Sequence, residues 1–222
     1  MNDDKQLELI RRIASVVAHE LRNPLAVINN SAYFLKTKLG QDGGLDPKVE
    51  KHLGIVVSEI SRADRMIADI LSYSRPIEVK RAVVALAAIV EAQLDALAVP
   101  ATIKVEKNLA ATLEADSDEV LLADAVRRLF DNAVEAMPSG GMLTVSLYKE
   151  KGLAVIEVRD TGAGIKPEVV PGLFEPFRTG KPRGLGLGLA LARKIAEAHG
   201  GRAEGGNLKK GGASFRLLVP AS

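Results

Sequence analysis

The chain has 222 residues, 47% of them hydrophobic, and its 30 Lys and Arg nearly balance its 28 Asp and Glu, giving a formal net charge of +2. This length predicts one or two domains, and the near-neutral charge without a basic block argues against a nucleic-acid partner. The absence of cysteine excludes disulfides, thiolate metal sites and cysteine nucleophiles, as is typical of a reducing compartment. No apolar run approaches the ~18 residues of a membrane span and no signal-peptide pattern opens the chain, so any membrane anchor would lie outside this sequence.

Heptad-spaced apolar residues predict a long helix over about residues 4–39, which ends at the glycine-rich stretch 40–44. An N-cap at Asp46 and a first-turn proline at Pro47 then predict a second helix to about residue 73. The two apolar seams comprise Leu7, Ile10, Ala14, Val17, Leu21, Ile28 and Leu35, and then Leu53, Val56, Ile60, Ala63, Ile67 and Ile70. One antiparallel hairpin cannot bury both seams, so we expect an all-α hairpin that forms a four-helix bundle with a second copy.

The first helix carries a cluster of polar residues on its outer face. In the seam register His19 faces water, Asn23 shares its face one turn later, and Glu20 flanks it. Pro24 removes a helical hydrogen bond at a cost of roughly 3 kcal/mol, which indicates a kink beside the histidine. A solvated histidine and a helix that ends at Pro24 are the simpler alternatives, although the apolar period continues beyond the proline. His52, beside the second seam, is predicted to be structural or solvated.

The second half begins after a hinge at residues 74–76, because proline disfavours helix in the residue before it. We predict, in order, a helix over residues 86–97, a strand over 102–106 paired with 111–115, and a helix from a cap at Asp116-Ser117 through Val120 to Met137. A hairpin of strands 143–148 and 154–158, a helix ending near His199 and strands near 202–204 and 214–219 follow. This order predicts an α+β sandwich, with helices on one face of a mixed, largely antiparallel sheet.

Three segments of the second half have patterns that suit a ligand. Asn132 is a polar residue between apolar helix positions, where a buried amide needs partners, although a satisfied core contact would also explain it. Asp160-Thr-Gly162-Ala-Gly164 follows a strand. The carboxylate of Asp160 can accept a hydrogen bond from an exocyclic amine, and the glycines let a ligand approach the backbone closely. A plain turn is the alternative explanation. Gly184-Leu-Gly186-Leu-Gly188 opens a helix and offers backbone N–H groups to phosphate, but it is neither a dinucleotide fingerprint nor a P-loop.

Taken together, these segments resemble the ordered boxes of one enzyme family. Residues 15–25 resemble the H-box of the sensor histidine kinases of two-component systems, in which the histidine is phosphorylated. The N, G1, F and G2 boxes of their catalytic domain are similar to Asn132, Asp160-x-Gly162-x-Gly164, Phe174-Glu-Pro-Phe177 and Gly184-x-Gly186-x-Gly188. That domain has the Bergerat (GHKL) ATPase fold shared with gyrase, and the sequence looks most like the nitrogen-regulator type, with a short lid between Ile165 and Gly184.

The resemblance implies a dimerisation and histidine phosphotransfer domain over residues 1–76 and a catalytic ATP-binding domain over 77–222. It further implies a homodimeric histidine autokinase, a phosphotransferase that phosphorylates His19 and passes the phosphoryl group to an aspartate of a response regulator. Glu20 would act as general base or orienter, and Asn23 would orient water for dephosphorylation of the regulator. The location implied is cytoplasmic, for the whole protein or for the cytoplasmic part of a longer or membrane-associated sensor.

The same resemblance assigns roles within the ATP site. Asn132 would hold Mg²⁺, Asp160 would accept from the adenine amine, and Gly162 and Gly164 would admit the base. Gly184, Gly186 and Gly188 would lie along the phosphates, and Lys181 would reach the γ-phosphate. Phe174 and Phe177 would anchor the lid.

Three positions depart from the family pattern. Arg128 stands where many members have Asn and the ATP-hydrolysing relatives have a glutamate base, and an arginine cannot act as a base. Glu135 replaces a common Lys, and Leu185 replaces a common Thr. Two other functions stay open at this point: an ATP-binding scaffold that transfers no phosphate, and a stand-alone ATPase or protein-serine kinase on the same fold.

Overall fold

The computed structural model describes residues 21–22, 25–37, 46–181 and 185–222. It divides into two compact units, residues 1–76 and residues 77–222. Within the part of the chain that is described, none of the helices combines the length and the apolar character that crossing a membrane requires.

The first unit is helical. Residues 21–22 and 25–37 belong to helix α1, and helix α2 spans Pro47–Ser74. The side chain of Asp46 caps α2 by accepting a hydrogen bond from the backbone N–H of Lys48 at 2.7 Å, and Pro47 occupies the first turn, where its missing N–H costs nothing. The predicted start of the second helix is therefore confirmed.

A single copy of this unit leaves much of its apolar surface uncovered. On α2, Ile60 and Ile67 are buried, at 6% and 5% exposure. On α1, however, the predicted seam residues Leu21, Ile28 and Leu35 remain 47%, 47% and 46% exposed. One hairpin thus fails to bury both apolar seams, as the sequence predicts.

The second unit is an α+β sandwich. Its elements are β1 (Ala82–Ala85), α3 (Leu86–Asp95), β2 (Ile103–Leu109), β3 (Glu114–Ser117), α4 (Glu119–Glu135), β4 (Gly141–Glu150), β5 (Leu153–Asp160), α5 (Gly188–Ala198), β6 (Arg202–Asn207) and β7 (Ala213–Pro220). Five strands form one sheet in the order β2-β4-β5-β7-β6, in which only the β2–β4 pair is parallel. Strands β1 and β3 form a separate antiparallel pair. The predicted fold class is confirmed.

The core of the second unit lies between the helices and one face of the five-stranded sheet. Alternate residues of β4 point into it, so Leu143, Val145 and Leu147 are almost completely buried while the residues between them are partly exposed. Helix α4 contributes a buried face that includes Leu129 and Phe130. Burying each large apolar side chain contributes about 1.5–3 kcal/mol. This core holds the ends of β5 and α4 in fixed positions.

The predicted pairing of residues 111–115 with the strand at 102–106 is wrong. In the structure β3 pairs with β1 in antiparallel register, whereas β2 pairs with β4 in parallel. Alternation of apolar residues specifies which face of a strand is buried, but it does not specify the neighbouring strand.

The start of helix α4 also differs from the prediction. The cap is Asp118, whose Oδ1 accepts from the N–H of Leu121 at 3.1 Å, while Asp116 and Ser117 belong to β3. Val120, predicted on the apolar face, is 78% exposed, because the buried face of α4 begins at Leu122.

Candidate functional site

Asp160 ends the central strand β5 with a buried carboxylate. The residue is 1% exposed, and its Oδ1 accepts a hydrogen bond from the N–H of Gly162 at 2.9 Å. Its Oδ2 is buried and has no hydrogen-bond partner among the residues that the structure describes. A buried acceptor without a partner costs about 1–3 kcal/mol. This oxygen is therefore available to an N–H donor on a ligand.

The environment of Asp160 favours its neutral form. Burial raises the pKa of its carboxyl group, and this effect outweighs the N–H groups of Gly162 and Ala213 and the positive charge of Lys181, which lower it. A donor that reaches Oδ2 would stabilise the charged form and lower the pKa again. Binding of such a donor would therefore favour ionisation of Asp160.

The turn after Asp160 needs its glycines for packing. A Cβ atom at Gly162 would collide with the carbonyl oxygen of Ala136, at the end of α4. Gly164 has a φ of +74°, in the left-handed region that favours glycine, and a Cβ there would lie 2.9 Å from Oδ1 of Asn207. Both glycines are thus needed for the packing and conformation of this turn. Their role in admitting a base stays a prediction.

Asn207, which the sequence analysis missed, holds the same turn in place. Its Nδ2 donates to the carbonyl oxygen of Ile165 at 2.8 Å, and its Oδ1 accepts from the N–H of Ile165 at 2.6 Å. The side-chain amide thus pairs with the backbone as a neighbouring strand would. No local pattern could have indicated this contact, because the two residues are separated by 42 positions.

Asn132 of helix α4 lies in contact with Lys181, and their shared role in a nucleotide site stays a prediction. Lys181 Nζ donates to Asn132 Oδ1 at 2.8 Å. The same ammonium forms a salt bridge with Oε2 of Glu135 at 2.6 Å. Asn132 and Glu135 lie three positions apart and therefore share one face of α4. Asn132 is half-buried, and its amide oxygen has a partner within the protein.

The oxygen of Asn132 fits the predicted Mg²⁺ ligand. Amide oxygens are suitable ligands for Mg²⁺, which usually binds through one or two protein oxygens, several waters and the phosphates of a substrate. The oxygen already attracts a cation, the ammonium group of Lys181. Among the described residues, no cluster of three or more His, Cys, Asp or Glu could hold a metal without such a substrate.

The N-terminus of α5 carries the described part of the third predicted segment, while Gly184 lies outside the described residues. No heavy atom of the described residues lies within 4 Å of the position that a Cβ would take at Gly188, so there is open space beside the first turn. Gly186 has a φ of +69°, and a Cβ there would lie 2.5 Å from the carbonyl oxygen of Arg178. The N-cap residue Leu187 makes no side-chain capping bond. Because a helix leaves the N–H groups of its first turn without intrahelical partners, this N-terminus is suited to an anion.

The two lid phenylalanines differ in their environment. Phe174 is half-buried and packs against the core, which is compatible with its predicted role as a lid anchor. Phe177 is 64% exposed and has a φ of +62°. Its left-handed backbone conformation costs roughly 1–2 kcal/mol, and its predicted role as a lid anchor stays a prediction. The neighbouring Leu173, at 8% exposure, belongs to the core.

His19, Glu20 and Asn23 lie outside the described residues, so their predicted roles stay predictions. Among the described residues of the first unit, a shallow cleft is lined by Arg22 and Ala26 of α1 and by Asp64, Arg65 and Ala68 of α2. His52 on α2 is exposed, in line with its predicted solvated position.

Both units match known families. Residues 9–78 match the model described as "His Kinase A (phospho-acceptor) domain". Residues 117–222 match the model described as "Histidine kinase-, DNA gyrase B-, and HSP90-like ATPase".

Curated proteins and solved structures are similar to most of the chain. The sensor protein FixL of Bradyrhizobium diazoefficiens is 33% identical over 98% of this chain and 45% of FixL. Sporulation kinase C of Bacillus subtilis is 30% identical over 98% of this chain and 50% of that protein. The chain thus spans about half the length of these relatives. A crystal structure of full-length ShkA in complex with AMPPNP has a TM-score of 0.75 over 95% of this chain and 46% of ShkA, and its 21% identity shows a shared fold.

Proposed function

We propose that this chain, which belongs to the sensor histidine kinases of two-component systems, transfers the γ-phosphoryl group of ATP to the imidazole of its own His19. The membership follows from the two matched models, which together cover most of the chain. The single observation that carries the nucleotide half of the proposal is the buried, unpaired Oδ2 of Asp160. The nitrogen-regulator subtype stays a prediction.

The residues of the second unit suit an adenine nucleotide. Asp160 Oδ2 would accept from the exocyclic amine of adenine, and the first turn of α5 would bind phosphate through its free N–H groups. Asn132 would hold Mg²⁺, which neutralises charge on the phosphates when bound, and Lys181 would reach the γ-phosphate. The fold relative ShkA, described in complex with AMPPNP, supports this ligand class.

The transfer itself would take place on the first helix. A neutral ring nitrogen of His19 forms a bond to the γ-phosphorus while the bond between that phosphorus and the bridging oxygen of the leaving ADP breaks. An unperturbed histidine pKa near ~6.5 leaves most of the imidazole neutral at pH 7. Glu20 would accept the proton of the other ring nitrogen in a hydrogen bond and orient the ring. The phosphoryl group would then pass to an aspartate of a response regulator.

Features of the first unit support its proposed partners. The half-exposed seam residues Leu21, Ile28 and Leu35 form an apolar stripe that a second copy would bury. The cleft lined by Arg22, Asp64 and Arg65 has one more positive than negative side chain, a balance that would suit an acidic acceptor protein. Asn23 would orient water when the phosphorylated regulator is dephosphorylated.

We place these reactions in the cytoplasm, where ATP and a reducing environment are found.

A stand-alone ATPase is the less favoured function. Arg128 occupies the position where hydrolysing relatives have a glutamate base, and its Nε donates to Oδ2 of Asp124 at 3.0 Å. A guanidinium group in an ion pair cannot accept a proton from water.

Incubation with γ-labelled ATP and Mg²⁺ tests the proposal by its product. The wild type should retain label on the protein, stable in base and lost in acid, while His19→Ala should retain none. Acid-stable label on the protein would instead indicate a serine kinase, and label released as inorganic phosphate by both proteins would indicate an ATPase. Intact ATP binding without any label on the protein would indicate a scaffold.

A further inference from the structure

We propose that Glu135 is a positioning residue that holds Lys181 on the oxygen of Asn132, so that Lys181 must leave this oxygen when a metal-bound nucleotide binds. The inference rests on the proposed function, because it takes Asn132 as the ligand of Mg²⁺.

The contact is built from a fixed helix and a segment without regular structure. Glu135 is the last residue of α4, which is anchored by buried residues such as Phe130 and Ala133. Lys181 lies in the lid, where its backbone N–H donates to Oγ1 of Thr179 at 3.0 Å. The ammonium group bridges Glu135 Oε2 and Asn132 Oδ1, at 2.6 and 2.8 Å. These are short, charge-assisted contacts.

The ammonium group and a magnesium ion compete for the same place. Both are cations that bind to the amide oxygen, and two cations in contact with one oxygen repel each other. Binding of Mg²⁺ at Asn132 therefore requires Lys181 to move, which also frees its ammonium for a phosphate group. The carboxylate of Glu135 opposes this movement by attracting Lys181.

The sequence of this chain makes the contact possible. The acidic side chain at position 135 attracts the ammonium group of Lys181, whereas a basic side chain there would repel it. Both partners are partly exposed, with 41% of the Lys181 and 63% of the Glu135 side-chain surface accessible. Solvent-exposed ion pairs of this kind change an equilibrium constant by up to about fivefold. Glu135 is thus expected to weaken metal–nucleotide binding moderately, not to abolish it.

A double-mutant cycle on the affinity for Mg-ADP tests the inference. ADP is chosen because it lacks the γ-phosphate that Lys181 is expected to contact. Glu135→Gln should tighten Mg-ADP binding about two- to fivefold, as measured by isothermal titration calorimetry on the full chain. In a Lys181→Met background the same change should have no effect, because the group that Glu135 holds is gone.

A matched control separates this contact from a general effect of charge. Asp131 lies on the same helix and pairs with Nε of Arg127 at 2.9 Å, so Asp131→Asn removes one negative charge without touching the Lys181 contact. It should leave the affinity for Mg-ADP unchanged. Equal tightening by Asp131→Asn, or a gain from Glu135→Gln that persists in the Lys181→Met background, would overturn the inference in favour of long-range repulsion.

The remaining outcomes separate this inference from the proposed function. If the wild type binds Mg-ADP and Glu135→Gln leaves the affinity unchanged or weaker, Glu135 does not hold Lys181 against the metal, and only this inference fails. If the wild type does not bind Mg-ADP at all, the nucleotide site itself is refuted.

Discussion

Replacement of Asp160 by Asn should weaken ATP binding without weakening the fold. The variant keeps an oxygen that can accept from Gly162 but presents an amide NH₂ group where Oδ2 now lies, so a donor would face the adenine amine. Loss of a hydrogen bond to a charged group costs about 1.5–3 kcal/mol. This corresponds to an increase of about ten- to a hundredfold in the Kd for ATP.

Although Asp160→Asn should weaken ATP binding, it should leave the folded state equally or more stable. Burial raises the pKa of Asp160 in the folded state, so the folded state binds this proton more tightly than the unfolded state. The ionised group therefore destabilises the fold above its unfolded pKa. Asp160→Asn should unfold at an equal or higher temperature than the wild type at pH 7, and this difference should shrink as the pH falls below the usual carboxyl range.

Calorimetric titration with ATP and with inosine triphosphate measures the contribution of Asp160 to nucleotide affinity. Inosine triphosphate has a carbonyl oxygen in place of the adenine amine. The wild type should prefer ATP, and Asp160→Asn should lose that preference. Glu157→Gln is the matched control, because Glu157 is also a buried carboxyl group of β5, at 5% exposure, but lies on the opposite face of the strand. It should keep the preference. Unchanged ATP affinity in Asp160→Asn, or a lower melting temperature with the preference intact, would refute the role of Asp160.

Three further variants test the structure around the site. His199→Ala should lower the free energy of unfolding by about 2–3 kcal/mol in a urea titration, because buried His199 accepts from the N–H of Asp118 at 3.0 Å and its loss leaves that donor unpaired; an unchanged midpoint would contradict this. Asn207→Ala should raise the Kd for ATP about two- to tenfold, because the turn after Asp160 loses both side-chain bonds to Ile165; unaltered affinity would show that the turn holds itself. Ile28→Asp should convert a dimer to a monomer in sedimentation analysis, because it places a charge in the proposed interface, and a wild type that is already monomeric would disprove that interface.

Elements with a complete local signature could be predicted from the sequence. Asp46 and Pro47 mark the start of α2 because a cap and its helix lie within a few residues. The hairpin of β4 and β5 follows from two alternating segments joined by the turn at Lys151 and Gly152. Asp160 could be singled out because its strand, its carboxylate and the glycines after it are contiguous.

Contacts between distant residues could not be predicted in this way. Strand β3 pairs with β1 and not with the nearer β2, since the apolar pattern of a strand does not encode its partner. Lys181 contacts Glu135, although the two residues are 46 positions apart in the chain. From the sequence, Glu135 could be identified only as a departure from the family pattern. The exposure of Phe177 and its left-handed backbone could not be predicted either, because no local pattern of this segment indicates a positive φ at a phenylalanine.

His19 is proposed to receive the phosphoryl group of ATP. Peptide mapping by mass spectrometry, after incubation with Mg-ATP and digestion at alkaline pH, identifies the modified residue. We predict one phosphorylated residue, His19, whose modification disappears after brief treatment with acid. Phosphate on a serine or threonine, or an unmodified His19 in a protein that binds ATP and releases inorganic phosphate, would contradict the claim.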